Sequence, residues 1–245
     1  MSFSWTRVLA IFTKELRDYR RNRFVIVFTM TILPLIFIAA PALQLLTAPA
    51  VVATSTLDAR VGASLLPLLL IPAIVPSTVA GYSVVGEREQ GTLEPILITP
   101  ISAEELLIGK ALAIVIPTLL IAYAIFGIFL AVAALFAHPL IRSAIFAGSH
   151  IPVQVLFTPL IAGWSIWVGI AISARSADVR VAQQLSALAS LPPVAVVALM
   201  GFSVITPSIG LAVGLAAALL AFDALGWRAV AAMFDRERLI TAART

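Results

Sequence analysis

Five long stretches of this chain contain no Asp, Glu, Lys or Arg, and they constrain the fold more than any other feature. They cover residues 24–57, 61–86, 111–141, 143–174 and 181–222. One crossing of a bilayer takes about 20 apolar helical residues, because the hydrocarbon core is about 30 Å thick and a helix rises about 1.5 Å per residue. The first four stretches fit one crossing each. The fifth is twice as long as one crossing needs and contains the turn sequence Thr206-Pro207-Ser208, which predicts a hairpin of two spans.

The predicted fold is therefore all-α, a polytopic membrane protein with a single transmembrane domain over 1–245. Its six spans are predicted near 24–46, 63–85, 111–136, 152–172, 185–205 and 209–226. With 61% hydrophobic and 11% charged residues, the chain has too little polar surface for a water-soluble globule, which excludes a soluble enzyme and intrinsic disorder. Cysteine is absent, which excludes disulfides and thiolate metal sites.

The distribution of Lys and Arg predicts the orientation of the spans. Six spans place both termini on one side. Of the 16 cationic residues, only Arg60 and Arg142 fall on the other side; the rest lie before the first span, in the 86–110 loop, between the fourth and fifth spans and in the 227–245 tail. The positive-inside rule places both termini and these loops in the cytoplasm. The net charge of +4 is then an orientation feature, and no nucleic-acid partner is expected.

Residues 3–22 form a predicted amphipathic helix ahead of the first span. Its apolar residues recur at spacings of three and four, namely Trp5, Val8, Leu9, Phe12, Leu16 and Tyr19. Such a helix lies along the bilayer surface, where its arginines meet anionic lipid. Two interpretations stay open: the helix is only a topology anchor, or its exposed face also contacts a cytoplasmic partner.

The predicted cytoplasmic loop 86–110, GEREQGTLEPILITPISAEELLIGK, is longer than a connection between spans requires. Ser102 followed by Glu105 matches a capping box, so the third helix is expected to start there. An apolar strip lies among the acids of this loop, comprising Thr92, Leu93, Ile96, Leu97 and Ile98. A strip of this kind at the membrane surface is typical of a docking site. The alternative is a loop that folds against its own helices.

The run E-R-E-x-G-T-L-E, followed by an apolar triplet, T-P, a Ser-x-x-Glu cap and G-K, resembles the loop after the second span of ABC-transporter type-2 permeases. These are the membrane subunits of ATP-driven exporters. The resemblance implies that 87–98 form a coupling helix that docks on an ABC ATPase subunit. It also implies a dimer with a second permease, homodimeric or heterodimeric, and ATP and Mg bound by the partner ATPase rather than by this chain.

The resemblance also assigns residues to these parts. The ATPase-coupling residues would be Glu87, Arg88, Glu89, Gly91, Thr92, Leu93, Glu94, Ile96 and Leu97. The N-terminal helix would be the elbow helix of the family, with the charged residues Lys14, Glu15, Arg17 and Arg20.

The predicted spans lack the acids that an ion-driven carrier generally needs at depth. Asp223 is the only acid in a predicted span, and it lies near the cytoplasmic end within reach of Arg228. No phosphate loop is present, and His138 and His150 make a poor metal site. No catalytic, cofactor-binding or metal residue is predicted, so a separate subunit is expected to supply the energy. The alternatives are an ATP-independent secondary transporter and an integral membrane enzyme.

Prolines interrupt two predicted spans: Pro67, Pro72 and Pro76 in the second and Pro192 and Pro193 in the fifth. They predict kinks, which either border a pathway or reflect bundle geometry. A small-residue stripe on the sixth span, Gly210, Gly214 and Ala218, is expected to pack within the subunit, with a dimer interface as the alternative. The apolar route favours a hydrophobic drug or lipid-like substrate. The preference for Arg over Lys is compatible with a prokaryotic plasma-membrane protein.

Overall fold

The structure is a computed structural model that describes residues 3–22, 24–47, 54–93, 99, 101–147, 150–201, 205 and 208–233. Every regular element within these ranges is helical. The N-terminal half comprises α1 (Trp5–Arg21), a π-helix (Phe24–Ile32), α2 (Leu33–Thr47), α3 (Thr54–Tyr82) and the short α4 (Val85–Glu89). The remainder comprises α5 (Ala103–Phe136), α6 (Pro139–Ala147), α7 (His150–Arg175), α8 (Val179–Ala189), α9 (Leu191–Gly201) and α10 (Ile209–Met233).

Within the part of the chain that the structure describes, five helical segments are long and apolar enough to cross a membrane. They are Val61–Glu89, Ala103–Phe136, His150–Arg175, Val179–Met200 and Ile209–Ala232. The first predicted span, 24–46, is helical through the π-helix and α2; within the described residues its apolar helix is Thr29–Leu43, which by itself is shorter than one crossing. The all-α, multi-span prediction is therefore confirmed, and a sixth span stays a prediction.

The third span begins earlier than its uncharged stretch. Ser102 is the N-cap residue of α5: its side chain accepts a hydrogen bond from the Glu105 amide, and the Glu105 carboxylate accepts one from the Ser102 amide at 3.0 Å. This capping box satisfies two amides that a helix start leaves unpaired. Two helical turns therefore precede residue 111, and they place Glu105 and Lys110 at the end of the bundle.

The fifth span differs from the prediction in both its start and its continuity. α8 begins at Val179 instead of residue 185, and the helix is interrupted at Ser190 before α9 starts at Leu191. Pro192 and Pro193 occupy the first turn of α9. A missing amide N–H costs little there, because that position has no intrahelical acceptor. These prolines thus accompany a helix junction, whereas the three prolines of α3 lie inside one continuous helix.

The second span is the centre of the bundle. Of its most apolar stretch, 67% is buried inside the protein, compared with 11% for the last span. α3 packs against α7, α8, α5 and α2, so its sequence is apolar on every side. An apolar cluster at one end, which includes Ile11, Leu107 and Ile170, joins α1 to α5 and α7.

Close helix approaches depend on glycines other than those of the predicted stripe. A Cβ on Gly81 would lie 3.0 Å from the Gln183 Cα of α8, and one on Gly169 would lie 2.7 Å from the Ala80 Cβ. Around Gly210 and Gly214, by contrast, no described atom lies within 4 Å of a Cβ position. Within the described part of the chain no neighbour packs closely on these two glycines, and the role of the stripe stays a prediction.

Candidate functional site at the charged end of the bundle

Helix α1 lies against the bundle through one narrow face. Its buried residues are Val8, Ile11, Glu15 and Tyr19. Trp5 and Leu9, from the same predicted apolar set, are 61% and 55% exposed. The helix therefore has two apolar faces, one against the protein and one open to the surroundings, with a carboxylate at the centre of the protein-facing one.

That carboxylate belongs to a group of four charges, here termed the Lys110 cluster: Glu15, Glu87 and Lys110, which are buried, and Lys14, which is partly exposed. The Lys110 Nζ lies 2.9 Å from Glu15 Oε1 and 2.9 Å from Glu87 Oε2, and it donates a hydrogen bond to the Ser83 carbonyl at 3.0 Å. The Lys14 Nζ lies 2.5 Å from Glu87 Oε1 and 3.0 Å from Glu15 Oε1. Two cations balance two anions, which makes their burial tolerable.

The electrostatics favour the charged forms of Glu15 and Lys14, the two members of the cluster that lie on α1. Burial disfavours the Glu15 carboxylate, but the ammonium groups of Lys110 and Lys14 outweigh that effect, so the pKa of Glu15 lies below its usual value of 4.5. Burial also disfavours charged Lys14, yet the carboxylates of Glu87 and Glu15 raise its pKa above 10.5. The contribution of the Glu15 carboxylate is lost only in acid and that of the Lys14 ammonium only in strong base, so these two groups of α1 are charged throughout the neutral range.

A second ion pair ties the start of α1 to the start of α5. Arg7 donates to Glu105 Oε2 through Nε at 2.8 Å and to Oε1 through Nη2 at 2.6 Å. The Ser4 amide donates to the same carboxylate at 2.6 Å. Glu105 is fully buried. It therefore caps α5 and receives a bidentate guanidinium from α1 at the same time.

The loop after the second span turns sharply at Gly91. Its backbone has φ +67°, a left-handed conformation that favours glycine, and the Thr92 amide donates back to the Glu87 carbonyl at 2.9 Å. Leu93 is buried in the apolar cluster next to α1 and α5. Gln90, Gly91 and Thr92 are exposed. Three predicted coupling residues, Glu94, Ile96 and Leu97, lie outside the described residues.

Two side chains of α4 bind the connection between α7 and α8. Arg88 donates to the Ala174 carbonyl at 2.9 Å and to the Ser176 carbonyl at 3.1 Å. The Glu89 carboxylate accepts a hydrogen bond from the Val179 amide at 3.2 Å. In return, the Ser173 hydroxyl of α7 accepts hydrogen bonds from the amides of Val84 and Val85.

The structure thus brings together several of the predicted residues and separates others. Lys14, Glu15 and Glu87 join one cluster, whereas Arg17 and Arg20 are exposed on α1. Sequence reasoning missed Arg7, Lys110 and Ser173. Lys110 could have been found, because it is the only cation between Arg88 and Arg142 and it ends a loop with five carboxylates.

Comparison with known proteins agrees with this architecture. No curated protein matches the chain. The family described as ABC-2 family transporter protein matches residues 11–177, which include α1 beyond its first turns, the loop after the second span and the end of α7. The match spans well over half of the chain. The protein therefore belongs to the ABC-2 transporter family and is a membrane component of an ABC transporter.

Proposed function

We propose that this chain is the permease subunit of an ABC exporter in a prokaryotic plasma membrane. With a second, identical or similar permease it forms the translocation route, and ATP with Mg is hydrolysed on separate ATPase subunits. Residues 24–46 supply the first span and bring the total to six, both termini are cytoplasmic, and α1 is the elbow helix in the headgroup region. The charged end described above is then the cytoplasmic end.

One observation carries this proposal beyond family membership: the ion pairs of the described residues gather where α1, the loop after α3 and the start of α5 meet. Within the described part of the chain, no ion pair lies deeper in the spans. Buried charges are costly and persist where geometry satisfies them. A machine driven by a cytoplasmic subunit needs a rigid input at this end, whereas an ion-driven carrier needs charges at depth.

The docking surface on this interpretation is the segment that follows the turn at Gly91. Glu87 and Leu93 are buried, so they cannot offer their side chains to a partner. Thr92 is exposed, and 94–98 carry the apolar and acidic residues expected of an interface. The ATPase contact is therefore proposed for Thr92 and the segment 94–98, with Leu93 and Glu87 serving inside the permease.

The double variant Glu94→Lys, Leu97→Asp tests this assignment. It should lower the amount of ATPase that co-purifies with the permease by about tenfold or more, because an interface depends on a few central residues. Glu104→Lys is the matched control: it reverses one exposed acid at the same end of the bundle and should retain the ATPase. Equal recovery from both variants would contradict docking through this segment.

The proposed substrate is a hydrophobic drug or a lipid-like molecule. The spans offer few polar side chains that could replace the hydration shell of a sugar or a metal ion. Pro67, Pro72 and Pro76, together with the α8–α9 junction at Pro192 and Pro193, are proposed to border the route. A junction of two short helices can change its angle at lower cost than a continuous helix.

Asp223 bears on the alternative of ion-driven transport. In the described residues it forms no ion pair with Arg228, whose guanidinium lies over the Trp227 ring at 5.1 Å. Its carboxylate instead packs against α7, where a Cβ on Gly163 would lie 2.5 Å from either oxygen. One oxygen, Oδ1, is buried without a hydrogen-bond partner.

Asp223→Asn decides between the two energy sources. The amide is nearly isosteric but cannot exchange a proton. ATP-driven export predicts efflux within about twofold of wild type, since the group is not part of the input site, whereas ion coupling predicts its loss. The measurement is efflux of a lipophilic dye from cells with and without a proton gradient. Loss of efflux in the variant, with normal expression, would favour the secondary transporter.

A further inference from the structure

We infer that Arg88 and Glu89 form a clamp between α4 and the connection from α7 to α8, so that the fourth and fifth spans follow α4 as one body. The inference rests on the proposed function and assigns roles to two residues that would otherwise be read as ATPase contacts. The clamp consists of Arg88, Glu89 and Ser173.

Arg88 closes the end of α7. The last carbonyls of a helix have no intrahelical partner and carry the negative end of its dipole. Two of the carbonyls there, those of Ala174 and Ser176, receive the two Nη groups of Arg88. A guanidinium is suited to this because its planar fork can donate to two acceptors at once.

Glu89 closes the start of α8. The first amides of a helix lack acceptors and carry the positive end of the dipole, which favours a carboxylate. Asp178, the N-cap residue, accepts from the Val181 amide at 2.9 Å, and Glu89 accepts from the Val179 amide. Two adjacent residues of α4 thus match opposite helix ends with opposite charges.

Close packing adds to the hydrogen bonds that attach α4 to α7 and α8. The Ser173 hydroxyl accepts from the Val84 and Val85 amides at 3.0 and 3.1 Å, which holds the start of α4 on α7. Just beneath, Gly81 and Gly169 bring α3 into van der Waals contact with α8 and α7. If α4 and the end of α3 slid relative to either span, hydrogen bonds would break and atoms at these close contacts would overlap. Movement of all three as one body therefore costs less free energy.

The remaining acid of the triplet extends the same logic. Glu87 binds Lys110 of α5 and Lys14 of α1. Three consecutive residues therefore contact different elements. Glu87 contacts the third span and the elbow helix, Arg88 contacts the end of the fourth span, and Glu89 contacts the start of the fifth. A displacement of the segment after Gly91 would therefore be transmitted to three spans through the five-residue helix α4.

A distance measurement across the clamp tests the inference. The chain has no cysteine, so Gln90→Cys and Ala177→Cys, both exposed, can carry the only two spin labels. With the clamp residues unchanged, the two labels should give one narrow distance distribution. In the complex with the ATPase, this distribution should be identical with and without ATP plus vanadate. Arg88→Ala, Glu89→Ala should widen the distribution by about twofold or more and make it respond to nucleotide, because the loop then moves locally.

Two further variants separate positioning from general destabilisation. Arg175→Ala removes an exposed cation from the same helix end and should leave the distribution unchanged. Glu89→Gln, with Arg88 unchanged, keeps an oxygen acceptor for the Val179 amide. Its distance distribution should be narrow, unlike that of the Ala,Ala variant. A wild-type distance that changes with nucleotide, or a narrow distribution in the Ala,Ala variant, would overturn the clamp.

The result is separable from the fate of the proposed function. The distribution widths can be measured on the permease alone in nanodiscs, without any partner. If wild-type permease retains no ATPase during purification, the proposed function fails while the clamp still stands or falls on the widths. If the Ala,Ala variant retains the ATPase and loses the joint movement, both proposals are supported.

Discussion

Replacing Lys110 by methionine is expected to destabilise the protein more than any other single change at the charged end. The Lys110 side chain is 1% exposed and serves Glu15, Glu87 and the Ser83 carbonyl. Its removal leaves two buried carboxylates, and among the described residues Lys14 is then the one cation that pairs with them. Breaking a buried ion pair by deleting one partner costs about 3–5 kcal/mol. Thermal unfolding in nanodiscs should show a melting temperature lower by about 10 °C.

A double-mutant cycle identifies the cause of that loss. Lys110→Met combined with Glu15→Gln removes one cation and one anion, which leaves Lys14 and Glu87 as a balanced pair. The double variant should therefore be more stable than the sum of the single changes allows, by about 1–2 kcal/mol. Lys14→Met is the control, because that side chain is 41% exposed and water can replace much of its interaction. Equal losses for Lys110→Met and Lys14→Met would show that burial of the cluster is energetically unimportant.

The second large effect is expected at Gly81. A Cβ there would lie 2.9 Å from the Ser186 Oγ, 3.0 Å from the Gln183 Cα and 3.1 Å from the Ala182 carbonyl oxygen. Two of these three atoms are backbone and cannot rotate away. Gly81→Val should therefore force α3 and α8 apart, at a cost of about 1–3 kcal/mol or more. The measurement is again the melting temperature, together with protease sensitivity of the loop between α7 and α8.

Two comparisons make the Gly81 result specific. Gly127→Val places the same side chain on α5 where no described atom lies within 4 Å of a Cβ, so it should be near neutral. Adding Ser186→Ala to Gly81→Val should give little recovery, because only one of the three contacts is a side chain. Full recovery by Ser186→Ala would mean that the helix backbones are not in close contact.

Much of the fold was predictable from particular local patterns. Uncharged stretches located four helices of spanning length and most of a fifth, because lipid tolerates neither charges nor unpaired backbone groups. The capping box at Ser102 and Glu105 located the start of α5, because its chemistry lies within four residues. Pro192 and Pro193 predicted a kink in the fifth span, and the junction of α8 and α9 lies beside them at Ser190. The helix α6 was not predicted, since it does not change the hydropathy pattern.

The candidate site was predicted only in outline. The acids of the loop pointed to the right region, but Glu87 and Glu89 looked alike as members of one E-R-E motif. In the structure one is buried in an ion cluster and the other accepts from an exposed helix start. Similarly, Gly210 and Gly214 matched a packing pattern, yet the close approaches occur at isolated glycines such as Gly81. Local spacing thus identified residue patterns correctly, but it did not show which other residues each side chain contacts in the fold.

The sequence by itself determined that this chain crosses a membrane several times as helices, and it predicted which side holds its cations. Those properties follow from the solvation of each segment separately, which needs no knowledge of neighbours. Only the tertiary structure decided which charges meet: Lys14 and Glu87 are 73 residues apart, and Glu15 and Lys110 are 95 apart. Ion pairing depends on contacts of a few ångströms between helix ends, and helix packing sets those contacts. Of the 28 charged residues that mark the membrane boundaries in the sequence, a few at the end of the bundle, among them Glu87, Arg88 and Lys110, become the groups that bind the loop after the second span to its neighbours.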